Sequence, residues 1–502
     1  MAAPVLMIQG TASSAGKSLL VTALCRIFHQ DGLRVAPFKA QNMANNSFVT
    51  PDGLELGRAQ AVQAEAAGVA PRVEMNPILL KPEAHYRSQL VVLGRPRGTI
   101  GGGDFLQRKV ELWPIVATAL DRLRALFDLV VIEGAGSPAE INLRAGDIVN
   151  MRVACYAQAP VLLVGDIDRG GVFAHLVGTL QLLDAEERAL VRGLVINKFR
   201  GAAELLQPGL DWLRVYTGVP VLGVVPWLED ARIADEDAVV LEHTRSTAPA
   251  TLDIVVPKLP HVANFDDLDP LIAEPDVSVR WVERPEEFGA PDLVVLPGSK
   301  ATASDLGWLQ ATGLAERVVV HARAGGAVIG VCGGFQMLGV ALHDPERVES
   351  ETEHVPGLGL LPVETWFACE KATHQVRAVV ADARGLLEGA ADVAITGYEI
   401  HMGATETPTP ALRILSRSGR SCDVPDGAID DSGLVFGTYI HGLFDNDALR
   451  TVLLANLARR KGRERAATGQ GWSREAAYDR LAAHVRAALD MRALYSLIEQ
   501  QR

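Results

Sequence analysis

V-I-G-V-C-G-G-F-Q-M-L-G, Val328–Gly339, is the stretch that decides how the second half of this 502-residue chain folds. An apolar run from Ala327 to Val331 stops at Cys332, two glycines follow, and a helical pattern begins. Strand, sharp turn carrying a nucleophile, then helix is the order of a nucleophile elbow. The turn needs small neighbours because the nucleophile sits in a strained backbone conformation. Amides at the start of the new helix point toward the sulfur and favour thiolate over thiol. The N–H of Gly333 is then placed to be one donor of an oxyanion hole. The blander explanation, a buried structural cysteine, leaves the two glycines without a purpose.

Working outward, a cysteine nucleophile needs a base. H-G-L-F, His441–Phe444, follows the strand-like run Gly433–Ile440, so His441 is expected at a strand end facing the elbow. A histidine takes the thiol proton and later returns it to a leaving amine because its ordinary pKa lies near neutrality. His401, in G-Y-E-I-H-M-G (Gly397–Gly403), is the rival base, although its surroundings read as a packed or substrate-facing strand. Upstream, L-P-G-S-K (Leu296–Lys300) follows the expected strand Asp292–Leu296, and the turn at Gly298 offers a second oxyanion donor.

These residues resemble the nucleophile region of class I glutamine amidotransferases, which release ammonia from glutamine through a cysteine thioester. That pattern places a Glu two residues after the histidine, where this chain has Leu443. Either a Cys–His dyad works alone or another carboxylate orients the ring, with Glu399 as the candidate.

The first half carries a different signal. The apolar strand Val5–Gln9 breaks into G-T-A-S-S-A-G-K-S, Gly10–Ser18, followed by an amphipathic helix, Leu19–Gln30. Strand, glycine loop, G-K-S and helix are the context of a phosphate-binding loop, with Gly10, Thr11, Ser13 and Gly16 supplying the cradle. Lys17 is expected on the terminal phosphates and Ser18 on Mg²⁺. Five residues, not four, separate Gly10 from Gly16, a spacing that resembles the loop of dethiobiotin synthetase and its ATP-dependent relatives. After the second strand, Arg34–Phe38, polar residues mass in K-A-Q-N-M-A-N-N-S (Lys39–Ser47), as expected at the ligand edge of a parallel sheet. Gln41 and Asn42 there, and Gln60 and Gln63 on the expected helix Leu56–Gly68, are candidates to face a substrate. The helix Asp104–Phe127 leads to strand Leu129–Ile132, which ends at Glu133, the expected acidic partner of Mg²⁺. The strand Pro160–Val164 ends in G-D-I-D-R-G-G, where Asp166, Asp168 and Arg169 suit metal, phosphate or substrate. Asn197 and Lys198, after the strand Leu194–Asn197, are placed to meet a nucleotide base.

Strands alternating with helices, with ligand-type residues at strand ends, predict a doubly wound parallel α/β domain. The expected division is a nucleotide-dependent domain over 1–242, an amidotransferase domain over 251–449 and a helical extension over 450–502. Between the first two, His243–Thr251 has linker composition.

Composition narrows the classes. With 48% hydrophobic and 22% charged residues, the chain is an ordinary globular protein. A net charge of −13 argues against a nucleic-acid surface while leaving room for a local basic pocket. Five scattered cysteines suggest neither disulfides nor a zinc site. No apolar run reaches membrane-spanning length, and M-A-A-P-V-L-M-I-Q-G runs straight into a core strand, so a cytoplasmic setting is expected.

F-K-A-Q-N-M, E-L-G-R-A-Q-A-V-Q-A, E-G-A-G-S-P-A-E-I-N-L, G-D-I-D-R-G-G-V-F-A, N-K-F-R-G and Y-E-I-H-M-G together resemble the cobyric acid synthase family of cobalamin biosynthesis. The resemblance runs to about residue 450. It departs at Ala202, where family members often carry Asp after N-K-F-R-G. It implies a dethiobiotin synthetase-like P-loop domain joined to a class I amidotransferase-like α/β domain. The implied reaction is ATP-, Mg²⁺- and L-glutamine-dependent amidation of the b, d, e and g carboxylates of adenosylcobyrinic acid a,c-diamide. No nucleic-acid or membrane partner is implied, and a homo-oligomer stays open. Two rivals remain at this level: cobyrinic acid a,c-diamide synthase, and a regulatory P-loop ATPase with a non-catalytic glutaminase-like domain.

Overall fold

The computed structural model describes residues 2–84, 87–101, 105–228, 251–350, 352–465 and 473–501. These fall into two compact units, each assembled from more than one stretch of chain. One holds the described residues of Met1–Ala44, Leu56–Glu236 and Ser473–Arg502, and the other those of Asn45–Glu55 and Asp237–Trp472.

The first unit is organised by a six-stranded sheet in the order Val221–Pro226, Val191–Phe199, Val161–Asp166, Val5–Gly10, Leu129–Glu133, Val35–Phe38. Every pairing is parallel. All six residues of Val5–Gly10 and all five of Leu129–Glu133 are buried. Helices cover both faces of such a sheet, so its strands read as unbroken apolar runs. The strand carrying the phosphate loop lies at the centre, with later strands added first on one side and then on the other. Ligands bind in the crevice that such a reversal opens beyond the strand ends.

A second, mostly antiparallel sheet of Gln41–Met43, Ile78–Ala84, Arg87–Val92 and Arg95–Gly101 stands beside it. The expected strand Ser88–Leu93 therefore exists but belongs to this small sheet. The expected helix Leu56–Gly68 begins only at Arg58, after a short strand, Glu55–Gly57.

The second unit repeats the parallel plan: Val277–Val282, Leu252–Pro257, Leu293–Leu296, Ala327–Val331 and Val435–Thr438, closed by the antiparallel Ala428–Ile429. Against it lies a sheet that periodicity did not reveal, built on the long strand Glu364–Val380. That strand pairs antiparallel with Ala394–Glu406 and with Leu412–Arg417, which continues to Arg420–Asp426. Exposed and buried residues alternate irregularly along Glu364–Val380, so no clean period-two signal is present.

The stretch 450–502, expected as one helical extension, is divided between the units. The helix Asp447–Arg460 packs its buried Leu453, Leu454 and Leu457 into the core of the second unit. Two helices, Arg474–Ala488 and Met491–Glu499, belong to the first, where Leu481, Val485, Leu489, Leu494 and Ile498 join the core beneath Lys17–Gln30. Ser473 and Asp490 cap them, their side chains accepting from Ala476 N and Ala493 N. The expected linker 243–250 and residues 466–471 of the expected basic break lie outside the described residues.

Candidate active site

Each unit carries its own cluster of chemistry-bearing residues. In the first, Gly16 has φ 91°, and a Cβ there would stand 2.1 Å from Asn197 Nδ2, so the loop turns into its helix only with glycine. Lys17 folds back across the loop and donates to Ala12 O at 3.0 Å and Gly136 O at 3.1 Å. Asn197 and Lys198 grip the same loop, Nδ2 donating to Ala15 O at 2.9 Å and Nζ to Ser14 O at 2.7 Å. Both lysines thus lie against loop carbonyls, next to the amides that would meet phosphate oxygens.

Glu133, fully buried, is the charge centre of this unit. Its Oε1 accepts from Ser18 Oγ at 2.8 Å and Lys39 Nζ at 2.9 Å, and its Oε2 from Gln63 Nε2 at 2.5 Å. Burial by itself would raise the carboxyl, yet the Lys39 ammonium and these three donors hold it below the ordinary carboxylate range. The buried Thr11 Oγ1, Gln41 Oε1, Gln60 Nε2 and Gln63 Oε1 have no hydrogen-bond partner among the described residues. Buried polar atoms are rarely left so in a finished structure, and these are free to receive a ligand. Asn42 Nδ2 donates to Gln60 Oε1 at 3.0 Å.

At the neighbouring strand end, Asp166 accepts from Lys198 Nζ at 3.0 Å and from Asp168 N at 2.9 Å. Asp168 pairs with Arg200, whose guanidinium lies 3.7 Å over the Trp227 ring, and Arg169 is exposed. The structure thus brings Gly16, Lys17, Ser18, Glu133, Asn197, Lys198 and Asp166 together, with Asp168 and Arg169 toward solvent. Sequence reasoning overlooked Lys39 as the partner of Glu133. The signal was present, since it is the first polar residue after the second strand.

In the second unit the elbow is as expected in form. Cys332 has φ 52° and ψ −111°, between strand Ala327–Val331 and the helix Gly333–Leu338. A Cβ on Gly334 would lie 2.0 Å from Leu296 O, which explains the second glycine. Gly298 and Gly333 flank the elbow: a Cβ on Gly298 would come within 3.1 Å of His441 Cε1, and one on Gly333 within 2.9 Å of Ser299 N. Cys332 Sγ lies 3.7 Å from Ile400 O.

The third group is Asp267, which sequence reasoning missed. Its Oδ2 is 2.7 Å from His441 Nδ1, and its Oδ1 accepts from Gly442 N at 2.7 Å. Burial alone would lower the His441 pKa. The Asp267 carboxylate and the Cys332 sulfur, each hydrogen-bonded to the ring, instead push it up to about 10. The candidate Glu399 is engaged elsewhere, accepting a bidentate pair from Arg417 at 2.8 and 2.9 Å. The rival His401 stacks on Tyr439 with centroids 3.7 Å apart and holds Gly403 O through Nδ1 at 2.9 Å. Leu443, where the usual glutamate would stand, is buried in the core. The only signal for Asp267 was a pair of acidic residues, Asp266 and Asp267, in the loop that follows strand Leu252–Pro257.

Known proteins agree with this pairing of units. Residues 6–240 match the family described as CobQ/CobB/MinD/ParA nucleotide binding domain, and residues 253–449 the CobB/CobQ-like glutamine amidotransferase domain. The chain is 57% identical to cobyric acid synthase of Sorangium cellulosum, over 98% of both chains. It is 51% identical to that of Dehalococcoides mccartyi, over 99% of both. It is 54% identical to that of Moorella thermoacetica, over 92% of this chain and 90% of the other. With two family matches in tandem and relatives of this identity aligned almost end to end, the chain belongs to the cobyric acid synthase family.

Proposed function

We propose that the chain amidates the b, d, e and g carboxylates of adenosylcobyrinic acid a,c-diamide, using ATP and the ammonia of L-glutamine. The observation that carries this reading is the presence, in one chain, of a thiol–imidazole–carboxylate series, Cys332–His441–Asp267, and a phosphate loop with Lys17 folded over it. A carboxylate is a poor electrophile for ammonia and must first be activated, which phosphoryl transfer from ATP accomplishes.

Lys17 and the loop amides hold the transferring phosphoryl group, and Asn197 and Lys198 fix the shape of the loop. Ser18 and Glu133 are the residues that would hold Mg²⁺, which when bound neutralises phosphate charge. Lys39 balances Glu133 and keeps it ionised. Gln41 and Gln60, through their unpartnered Oε1 and Nε2, meet the corrinoid, with Asn42 holding Gln60 in place. In the second unit His441 takes the Cys332 proton, the thiolate attacks the glutamine amide, and amides at Gly333 and Gly298 stabilise the oxyanion. His441 then protonates the leaving ammonia, with Asp267 fixing its tautomer. The missing glutamate at Leu443 is the one feature that favours a non-catalytic second domain, and Asp267 takes that glutamate's place beside the ring.

The test is mass spectrometry of adenosylcobyrinic acid a,c-diamide incubated with the protein, Mg–ATP and glutamine. Four successive mass losses, each replacing OH by NH₂, are expected. Reaction on cobyrinic acid at the a and c positions instead would support the diamide synthase. ATP turnover with no change in any corrinoid would sink the amidation reading.

A further inference from the structure

Asn45–Glu55, between the strand Gln41–Met43 and the helix that carries Gln60 and Gln63, belongs to the second unit although the residues on either side belong to the first. It is pinned there from Asn46 to Val49 and again at Gly53 and Glu55. Asn46 Oδ1 accepts from Asn264 N at 2.7 Å, and Asn264 Oδ1 accepts from Ser47 N at 2.8 Å, a reciprocal pair in which both asparagines are 3% exposed. Phe48 packs on Tyr398 with centroids 5.0 Å apart. Gln375 Nε2 donates to Val49 O, and Thr373 Oγ1 to Gly53 O at 2.8 Å. Glu55 forms a buried pair with Lys371 at 2.6 Å.

What this segment touches matters more than how tightly it is held. Asn264, in the left-handed conformation at φ 53°, begins the turn Phe265–Leu268 that carries Asp267, and Asp267 N donates to Asn264 O at 3.1 Å. Tyr398 stacks on His441 with centroids 5.2 Å apart, and the two exchange backbone hydrogen bonds of 2.9 and 3.2 Å. The carboxylate that holds Nδ1 of His441 and the ring that covers its face are therefore both braced from residues 46–48.

We propose that Asn45–Glu55 is a positioning strap for the glutaminase base: Asn46, acting through Asn264, and Phe48, acting through Tyr398, hold His441 in register with Cys332. The inference rests on the glutaminase reading above. Residues 46–49 have Asn264, Tyr398 and Gln375 as their described partners, not Cys332 or His441 themselves. Their contribution is to proton transfer, whose rate falls on the order of 100-fold for a displacement near 1 Å.

The test uses the full chain and compares Asn46→Ala, Phe48→Leu and three changes at Asn264. Asn264→Asp keeps an acceptor for Ser47 N, Asn264→Gly keeps the backbone conformation but not the acceptor, and Asn264→Ala keeps neither. Glutamine hydrolysis and ammonia-supported amidation are measured side by side. Expected is a fall in glutaminase kcat of roughly 10- to 100-fold, with KM for glutamine within about twofold, in Asn46→Ala, Phe48→Leu, Asn264→Gly and Asn264→Ala. Asn264→Asp should return most of it, and ammonia-supported amidation should persist throughout. Wild-type kcat in both Asn46→Ala and Phe48→Leu, or a raised KM with kcat unchanged, would overturn the strap. So would loss of both activities in all variants including Asn264→Asp, which would mark a merely structural role. A wild-type chain that hydrolyses no glutamine would bring down the glutaminase reading, and the strap with it.

Discussion

The His441–Asp267 contact places one proton under strong constraint. Asp267→Asn keeps the shape but removes the charge, and glutaminase kcat should drop on the order of 10²–10⁴-fold while ammonia-supported amidation continues. The same pair makes a stability prediction. Asp267 and the Cys332 sulfur hold the His441 proton to about pH 10, whereas an unfolded histidine releases it near ~6.5. The pair's contribution is fully present below about pH 6.5 and is lost as the pH rises through 10. The difference in melting temperature between wild type and Asp267→Asn should therefore be largest in mild acid and shrink toward pH 10. In the other unit Lys39→Met leaves the carboxylate of Glu133 buried without its cation. That change should cost about 3–5 kcal/mol in denaturant unfolding, and raise rather than lower the pKa of Glu133. Cys332, His441, Lys17 and Glu133 were legible because each sits where a short motif meets a predicted strand end. Asp267 and Lys39 were not, because nothing in spacing along the chain says which carboxylate will meet which ring or ammonium across it.

At the scale of elements, the elbow shows how a close approach dictates composition. Gly334 has Leu296 O where its Cβ would be, at 2.0 Å. A carbonyl of the neighbouring strand cannot step aside as a flexible side chain does, so Gly334→Ala should displace the helix Gly333–Leu338. Expected are a loss of about 1–3 kcal/mol by chemical denaturation and a steep fall in glutaminase activity, since the same helix begins at Gly333. The parallel strands were readable from sequence because burial on both faces makes them continuous apolar runs, as in Val5–Gly10 and Leu129–Glu133. The antiparallel sheet on Glu364–Val380 was not. Its alternation is broken by a shift in register between Trp366 and Lys371, and one slipped residue exchanges the two faces of a strand.

At the scale of the whole molecule, the C-terminal helices are part of the first unit's core, and no periodicity argument could have assigned them to it. Leu481, Val485, Leu489, Leu494 and Ile498 are each at most 7% exposed there. At about 1.5–3 kcal/mol for each such side chain, their removal rivals the total stability of a domain, about 5–15 kcal/mol. A chain ending at residue 472 should lose the calorimetric transition of the first unit while keeping that of the second, and with it all ATP-dependent turnover. A chain that kept both transitions would show the helices to be dispensable.

The segment 45–55 and the helices after Ser473 have a joint consequence for how the protein is made. On the ribosome, the strap emerges about three hundred residues before the strands that must receive it, Thr373 following Gly53 by 320 residues, and the first unit waits for helices translated after the second unit. The first unit cannot be finished until the second has been synthesised, and neither corresponds to one uninterrupted stretch of gene. Cutting the gene at the junction between the two matched families would give two polypeptides that each lack a piece of themselves.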